Sequence, residues 1–190
     1  GSPATAAGYA NNLQTSIRIQ DGRAPVGWIV DLRGAAGVNM WPMIAGLGPV
    51  LGEGTLGYFV DPDGAESVWQ YLAGTATLND SVTQAVATPY TLASDNPRVA
   101  VLTDGRVAGW GEAVVIAFKG RPNTRYFGEA TCGLSTATSS FGVAGAVLFL
   151  TVADLADRSK GTYGGALLPD EAITIHTELR ERAIAWLRGE

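Results

Sequence analysis

The sequence is poor in the residues that metal, redox and acid–base sites use most. It holds one cysteine, Cys132, and one histidine, His176, among 190 residues. A single cysteine cannot form an internal disulfide, and it leaves the redox compartment undetermined. One cysteine and one histidine show no zinc-ligand spacing, so we expect no metal site.

Charge and long apolar runs are also scarce, and each absence excludes a class of partner. Charged residues make up 16% of the chain, and the net charge is −5 without a cluster of Lys or Arg. Nucleic acid needs a basic footprint, so we do not expect nucleic-acid binding. No apolar run reaches the roughly 18 residues that a spanning helix needs, so we expect no membrane partner. Homo-oligomer formation stays open.

Glycine is what the sequence has in excess, with 25 of 190 residues, nearly twice the usual ~7%. The glycines follow no collagen-like period, so they indicate turns and close backbone approaches. The length and the 46% apolar content predict one folded domain. We interpret residues 1–2, Gly-Ser, as the remnant of a cleaved tag and residues 3–190 as the domain.

The spacing of apolar residues predicts alternating helices and strands. Helical spacing covers residues 4–17, 40–51, 112–119 and 178–188. Strand-length apolar runs cover 26–32, 56–60, 67–71, 98–103, 123–127, 146–152 and 172–175. Residues 73–86 are small and polar, which predicts a loop or an edge. The alternation predicts an α/β domain with a substantially parallel sheet.

Two glycine-rich strand-to-helix junctions are the main candidates for a site. One follows the apolar run that ends at Asp31, and the other follows the run that ends at Thr103. In open α/β sheets the ligand crevice lies at the carboxyl ends of the strands. Glycines there free backbone N–H groups to bind a developing oxyanion, with help from a helix N-terminus. Ordinary strand–helix connections are the alternative interpretation.

Several motifs then occur in a fixed order, and together they resemble a known family. They are residues 28–34 (WIVDLRG), 99–105 (VAVLTDG), 111–113 (GEA) and 128–133 (GEATCG), with 163–165 (YGG) and 169–170 (PD) near the end. They resemble the S41 serine peptidases, the tail-specific or C-terminal processing peptidases and their tricorn-like relatives. The resemblance covers roughly residues 5–188. It implies a crotonase/ClpP-like α/β core of repeated β-β-α units in a single domain, and serine-type peptide hydrolysis without a cofactor.

The chain departs from the family pattern where the chemistry is expected. The family's Thr-Ala-Ser-x-x-Glu corresponds to Val-Ala-Gly-Trp-Gly-Glu at residues 107–112, so the nucleophile position is Gly109. Glycine has no group that can attack a carbonyl carbon. Leu134 stands where many members place a base lysine. We expect no PDZ domain, and we expect the histidine-bearing upstream segment of tricorn-like members to be absent.

The first junction departs in the same direction. The family's Asp-Leu-Arg-x-Asn-x-Gly-Gly corresponds to residues 31–38, with Ala35 in place of the asparagine and Val38 in place of the last glycine. The backbone N–H groups of Gly37, Val38 and Trp110 can still form an oxyanion hole of altered shape. The departures bring apolar side chains to the expected pocket, which indicates a small-molecule or peptide-like ligand; the positions are Ala35, Val38, Val107, Trp110 and Leu134.

Three functional hypotheses follow. In the first, the S41-like core lacks its nucleophile and has been repurposed by evolution or by design to hold a small molecule in an apolar pocket, without proteolysis. In the second, Cys132 is the nucleophile and His176 the base of an esterase-like cysteine hydrolase. In the third, the chain is a non-catalytic pseudo-peptidase with a structural or interaction role.

The chemistry-bearing residues also have plain structural interpretations. Cys132 can be a small buried apolar side chain, and His176 can cap or pack the last helix. An acid at Glu112 suits a helix N-terminus. Asp31 and Arg33 can form an ion pair that supports the turn.

Overall fold

The computed structural model describes residues 3–37 and 39–190. Residues 1–2, which we interpret as a tag remnant, and Val38, which we predict in the oxyanion hole, lie outside the described residues. The four helices of the described part are α1 (Pro3–Asp21), α2 (Trp41–Leu51), α3 (Trp110–Phe118) and α4 (His176–Arg188). None of these helices is long and apolar enough to cross a membrane.

Thirteen strands are found in the described part of the chain. They are β1 (Trp28–Asp31), β2 (Ala36–Gly37), β3 (Gly54–Val60), β4 (Glu66–Leu72), β5 (Thr75–Leu78), β6 (Ser81–Ala85), β7 (Val99–Thr103), β8 (Ala108–Gly109), β9 (Thr124–Gly128), β10 (Thr136–Val143), β11 (Ala146–Asp157), β12 (Thr162–Tyr163) and β13 (Glu171–Ala172). With the helices they form a mixed α/β fold.

A parallel sheet in the order β1-β7-β9-β13 forms the centre of the fold. The inner strand β7 is buried along its whole length, as expected for a parallel strand that is covered on both faces. Val99 and Val101 face the main core, which includes α2 and α3. Ala100 and Leu102 face the other way, toward α4. The predicted parallel sheet is therefore present, but it contains only these four strands.

The larger sheet is antiparallel, in the order β10-β11-β3-β4-β5-β6, with β12 paired to β11. Residues 73–86, predicted as loop or edge, form the hairpin β5–β6 at one edge of it. Asn79 and Asp80 have φ angles of 47° and 63°, which fit the two-residue turn that closes a tight hairpin. Strand β10 was not predicted, because its small and hydroxyl residues show no strong apolar alternation.

Helix α1 packs on α2 through a buried glutamine. The Gln14 side chain donates to the Ala45 carbonyl (2.7 Å) and to the Tyr71 hydroxyl (3.0 Å), and it accepts from the Tyr90 N–H (2.9 Å). A buried amide is tolerated because its hydrogen bonds are made. These bonds join α1 to α2, to β4 and to the segment at Tyr90.

Candidate functional site

The two junctions meet in a short parallel ladder between β2 and β8. Ala36 pairs with Ala108, and Gly37 pairs with Gly109. The Ala108 N–H also donates to the Ala35 carbonyl over 3.1 Å. The turns that follow β1 and β7 therefore lie side by side at the carboxyl edge of the parallel sheet, where ligand crevices form in α/β folds.

Gly109 occupies a sharp strand-to-helix turn. It ends β8 and is the N-cap of α3, with φ 55° and ψ −117°. Residues other than glycine adopt this conformation only under strain, and such strain concentrates at functional turns. A Cβ atom built on Gly109 has no neighbouring atom within 4 Å. The position thus has room for a side chain that this sequence does not carry.

Glu112 anchors the start of α3 from inside the protein. The side chain is fully buried, and its carboxylate accepts hydrogen bonds from the Gly109 N–H (3.1 Å), the Thr131 hydroxyl, the Gly133 N–H (2.9 Å) and the Leu134 N–H (2.7 Å). A buried carboxylate is costly unless it is bonded in this way. Four donors bind this one, so Glu112 fixes α3 to the turn at residues 131–134. This is the structural role considered from the sequence.

Gly111 lets the first turn of α3 approach the other junction closely. A Cβ at this position would lie 1.9 Å from the Ala35 carbonyl oxygen. That distance is far inside van der Waals contact, so only glycine fits here without a backbone shift. The contact holds the first N–H groups of α3 beside β2. The first N–H groups of a helix have no partner within it, which leaves them available to a ligand.

Asp104 bridges the two junctions and was not singled out from the sequence. Its Oδ1 accepts from the Gly34 N–H (2.9 Å) and the Arg106 N–H (3.0 Å), and its Oδ2 accepts from the Arg106 guanidinium (2.7 Å). Burial alone would raise the pKa of Asp104, but these hydrogen bonds outweigh it and hold the pKa below its usual value. The available signal was the Asp-Gly pair directly after a buried strand.

Trp110 is half-buried and packs toward the antiparallel sheet. Its ring makes an edge contact with Phe59 at a centroid distance of 6.1 Å, and Phe59 stacks on Trp69 at 5.6 Å. Aromatic pairs at these distances are favourable beyond the area they bury. The side chain therefore belongs to an aromatic row that supports α3, while the Trp110 N–H stays at the helix start.

The other predicted pocket residues lie in three different environments. Val107 is completely buried in the main core, and Ala35 is partly buried against that core. Leu134 is exposed. Since Val107 is fully packed among core side chains, it contributes to stability rather than to an open lining. An apolar pocket at this place stays a prediction.

An apolar cavity is present on the α1 side of the first junction. Its volume is about 250 Å³, and it lies between α1, β1 and α2. The lining includes Leu13, Ile17, Trp28, Met43, Leu47 and Val50. The Met43 sulfur lies 3.7 Å from a Cβ built on Gly37, so the cavity borders the β2–β8 ladder.

Cys132 and His176, the predicted nucleophile and base, have separate partners. Cys132 is exposed, so it is not the small buried apolar side chain of the alternative interpretation, and its N–H donates to the Val107 carbonyl over 2.8 Å. His176 contacts the Arg33 guanidinium through Nδ1. Arg33 also hydrogen-bonds Asp31, which holds the pKa of that carboxyl below its usual value. Within residues 3–37 and 39–190, no hydrogen bond joins Cys132 to His176.

The described part of the chain contains no group of three His, Cys, Asp or Glu side chains that could hold a metal ion. The chemistry that the site offers therefore consists of backbone N–H groups, one exposed thiol and a bonded acidic scaffold.

One family model and one curated relative match most or all of the chain. The model of peptidase family S41 matches residues 5–173. A nisin-resistance protein of Lactococcus lactis subsp. lactis is 29% identical over 196 residues, which cover 100% of this chain and 58% of that protein.

Two solved structures share the fold. A lipoprotein from Streptococcus agalactiae superposes with a TM-score of 0.80 at 26% identity, over 100% of this chain and 62% of that one. The photosystem II D1 C-terminal processing protease superposes with a TM-score of 0.61 at 15% identity, over 88% of this chain and 39% of that one. The chain thus spans less than two thirds of the length of these relatives.

Proposed function

The chain belongs to peptidase family S41, and from this premise we propose that it keeps the peptidase fold without serine-type hydrolysis. The observation that carries the proposal is Gly109. By motif it stands at the family's nucleophile position, and its φ of 55° and ψ of −117° give the sharp strand-to-helix turn that presents a nucleophile in other hydrolases. With no side chain there, no covalent intermediate can form at that position.

The scaffold around Gly109 supports binding without cleavage. Glu112 still holds the start of α3 through four hydrogen bonds, and Asp104 still bridges the two junctions. The Trp110 N–H lies at the start of α3 beside β2 and can donate to a carbonyl or carboxylate oxygen. We propose that this edge of the sheet binds a peptide-like or small apolar ligand and releases it unchanged.

The comparison offers a first ligand to test. The curated relative is named for resistance to nisin, so nisin is a rational first peptide. For a small apolar ligand, the cavity of about 250 Å³ beside β2 supplies the space. Binding in this cavity would change the fluorescence of Trp28, which lines it, and the change would be lost in Trp28→Phe.

Incubation of the purified chain with casein and with nisin, followed by mass spectrometry, tests the proposal. We expect both substrates to stay intact at every time point. Cleavage products that scale with protein concentration would overturn it. Gly109→Ala is the matched control. It also lacks a nucleophile, so the mass spectra of casein and nisin after incubation should be the same as with the parent chain.

A cysteine hydrolase is the second candidate, since the Cys132 thiol is exposed in the turn that Glu112 anchors. No hydrogen bond joins Cys132 to His176 in the described residues, because His176 contacts Arg33 instead. Turnover of a p-nitrophenyl ester that disappears in Cys132→Ala would support the hydrolase. Equal turnover by both proteins would remove it.

We further propose that residues 3–190 form the S41 core and that this core is of the crotonase/ClpP-like kind. The parallel strands β1, β7 and β9 support this description, since β1 and β7 each lead through a glycine turn into a helix. Limited proteolysis that leaves one resistant fragment of nearly full length would agree. Cleavage into two stable halves would contradict it.

A further inference from the structure

The far end of the β10–β11 hairpin is a ribbon of two strands with an apolar surface. We call residues 138–151 the ribbon. It lies beyond the bulge between Ala137 and Thr138, and β11 pairs with β3 only from Asp154 onward. Six large apolar side chains of the ribbon are between 45% and 70% exposed; they are Phe141, Val143, Val147, Leu148, Phe149 and Leu150.

The ribbon has none of the usual protection against association. Residues 130–153 contain no charged residue and no proline, although the chain as a whole carries a net charge of −5. Exposed sheet edges are normally blocked by charges, prolines, bulges or a covering element. At the other end of the same sheet, β6 is covered in this way, because α1 and α2 pack against it.

The position of β10 at the edge of the sheet also favours pairing with another strand. Strand β10 ends the order β10-β11-β3-β4-β5-β6, so its outer row of N–H and C=O groups has no strand partner among the described residues. Two identical strand edges are complementary to each other in antiparallel orientation about a two-fold axis. Such an interface is closed and stops at two copies.

The apolar side chains lie on both faces of the ribbon. Because paired residues share a face and successive residues alternate, Phe141, Val143, Leu148 and Leu150 lie on one face and Val147 and Phe149 on the other. Two copies paired edge to edge along β10 would continue the larger apolar face from one ribbon into the next, in a contact of the weak, reversible size class. The uncharged surface is also where two chains of net charge −5 repel each other least.

We propose that two copies of this chain associate ribbon against ribbon about a two-fold axis. The proposal does not depend on whether the site hydrolyses anything. Because the contact is apolar and the chains carry like charge, added salt strengthens the dimer by screening long-range repulsion. A salt-bridged interface would behave in the opposite way.

Sedimentation equilibrium across a range of protein concentrations tests the proposal. We expect a reversible dimer of twice 19.7 kDa, with a dissociation constant that falls as salt is added. Phe141→Ser with Leu148→Ser alters a directly paired couple of the ribbon, and it should weaken the dimer at least tenfold. Val82→Ser, a 68% exposed residue on β6, is the matched control and should leave the dimer intact.

A second variant separates weaker dimer formation from unfolding of the β10–β11 hairpin. Ser140→Lys places a charge on the exposed edge strand and removes no apolar contact, and it should also weaken the dimer while circular dichroism stays unchanged. A parent chain that remains monomeric at all concentrations overturns the proposal. So does a dimer that survives both ribbon variants, and so does a monomer that floats with phosphatidylcholine vesicles, which would make the ribbon a lipid contact.

Discussion

The start of α3 and the ribbon are built on opposite principles. At the start of α3 a fully buried carboxylate receives four hydrogen bonds, and a glycine is required by a carbonyl oxygen 1.9 Å from its missing Cβ. The ribbon has no charge and leaves six large apolar side chains in solvent. The start of α3 is held by contacts within the chain, whereas the apolar side chains of the ribbon have no covering partner within one copy. Single substitutions should therefore change stability in the first region and association in the second.

Glu112→Ala should give the largest effect. It leaves the Thr131 hydroxyl and three N–H groups without their acceptor, and each unsatisfied buried group costs roughly 1–3 kcal/mol. We expect a loss of at least about 3 kcal/mol in the free energy of unfolding, measured with urea. Glu112→Gln keeps the shape and one acceptor oxygen, so it should cost less. A loss below about 1 kcal/mol for the alanine variant would refute the anchoring role.

Gly111→Ala comes second. The new Cβ would overlap the Ala35 carbonyl oxygen, so α3 or the first junction must shift, at a cost of roughly 2–3 kcal/mol. Gly8→Ala in α1 is the matched control, because a Cβ there meets nothing within 4 Å. Helix propensity predicts that the control is neutral or stabilising by up to about 1 kcal/mol. Equal changes of the melting temperature in the two variants would contradict the close approach of Gly111 to the Ala35 carbonyl oxygen.

Gly109→Ser should cost less than Gly111→Ala, because space is available and only the backbone is strained. With φ at 55° we expect a loss of about 1–2 kcal/mol in unfolding free energy. Gly109→Ala should lose the same amount, since the strain comes from the Cβ alone. A large difference between the two variants in urea titrations would show that the hydroxyl meets atoms of the protein.

Asp104 makes the free energy of unfolding depend on pH. Because the folded state holds its pKa below the usual value, its contribution is present above the unfolded pKa of about 3.9 and is lost as pH falls through the folded pKa. Asp104→Asn should cost under about 1 kcal/mol at neutral pH. The free energies of unfolding of the parent chain and of Asp104→Asn should converge as the pH falls. Values that diverge at low pH would contradict a lowered pKa of Asp104 in the folded state.

Phe149→Ser should have the smallest effect on folding. Its side chain is 70% exposed, and exposed substitutions usually change stability by less than about 0.5 kcal/mol. The comparison is made by urea titration at concentrations where the parent chain is monomeric. A loss above about 1 kcal/mol would place Phe149 in the core of the fold and end the contrast between the two regions.

The sequence predicted the junctions better than the ribbon, and the reason is physical. Turns such as those at Gly109 and Gly111 require particular residues at fixed spacing, so their motifs are visible without a structure. The apolar run at residues 146–152 correctly predicted a strand, but its exposure depends on which other elements cover it. That is a tertiary property, and no local pattern encodes it.

The pairing of distant side chains was also beyond local pattern. His176 contacts Arg33 across 143 positions of sequence, and the only histidine drew attention as a base for Cys132 instead. Asp104 was overlooked because one acid after a strand resembles any other. Its role becomes visible only when β1 and β7 are seen to be neighbours.

The central claim is that this S41 fold has no serine nucleophile at Gly109. Labelling of the parent chain with a fluorophosphonate, followed by mass spectrometry of the labelled peptides, tests it most directly. We predict no labelled serine in the native protein. A single serine that is labelled in the native chain and not in the urea-unfolded chain would contradict the claim.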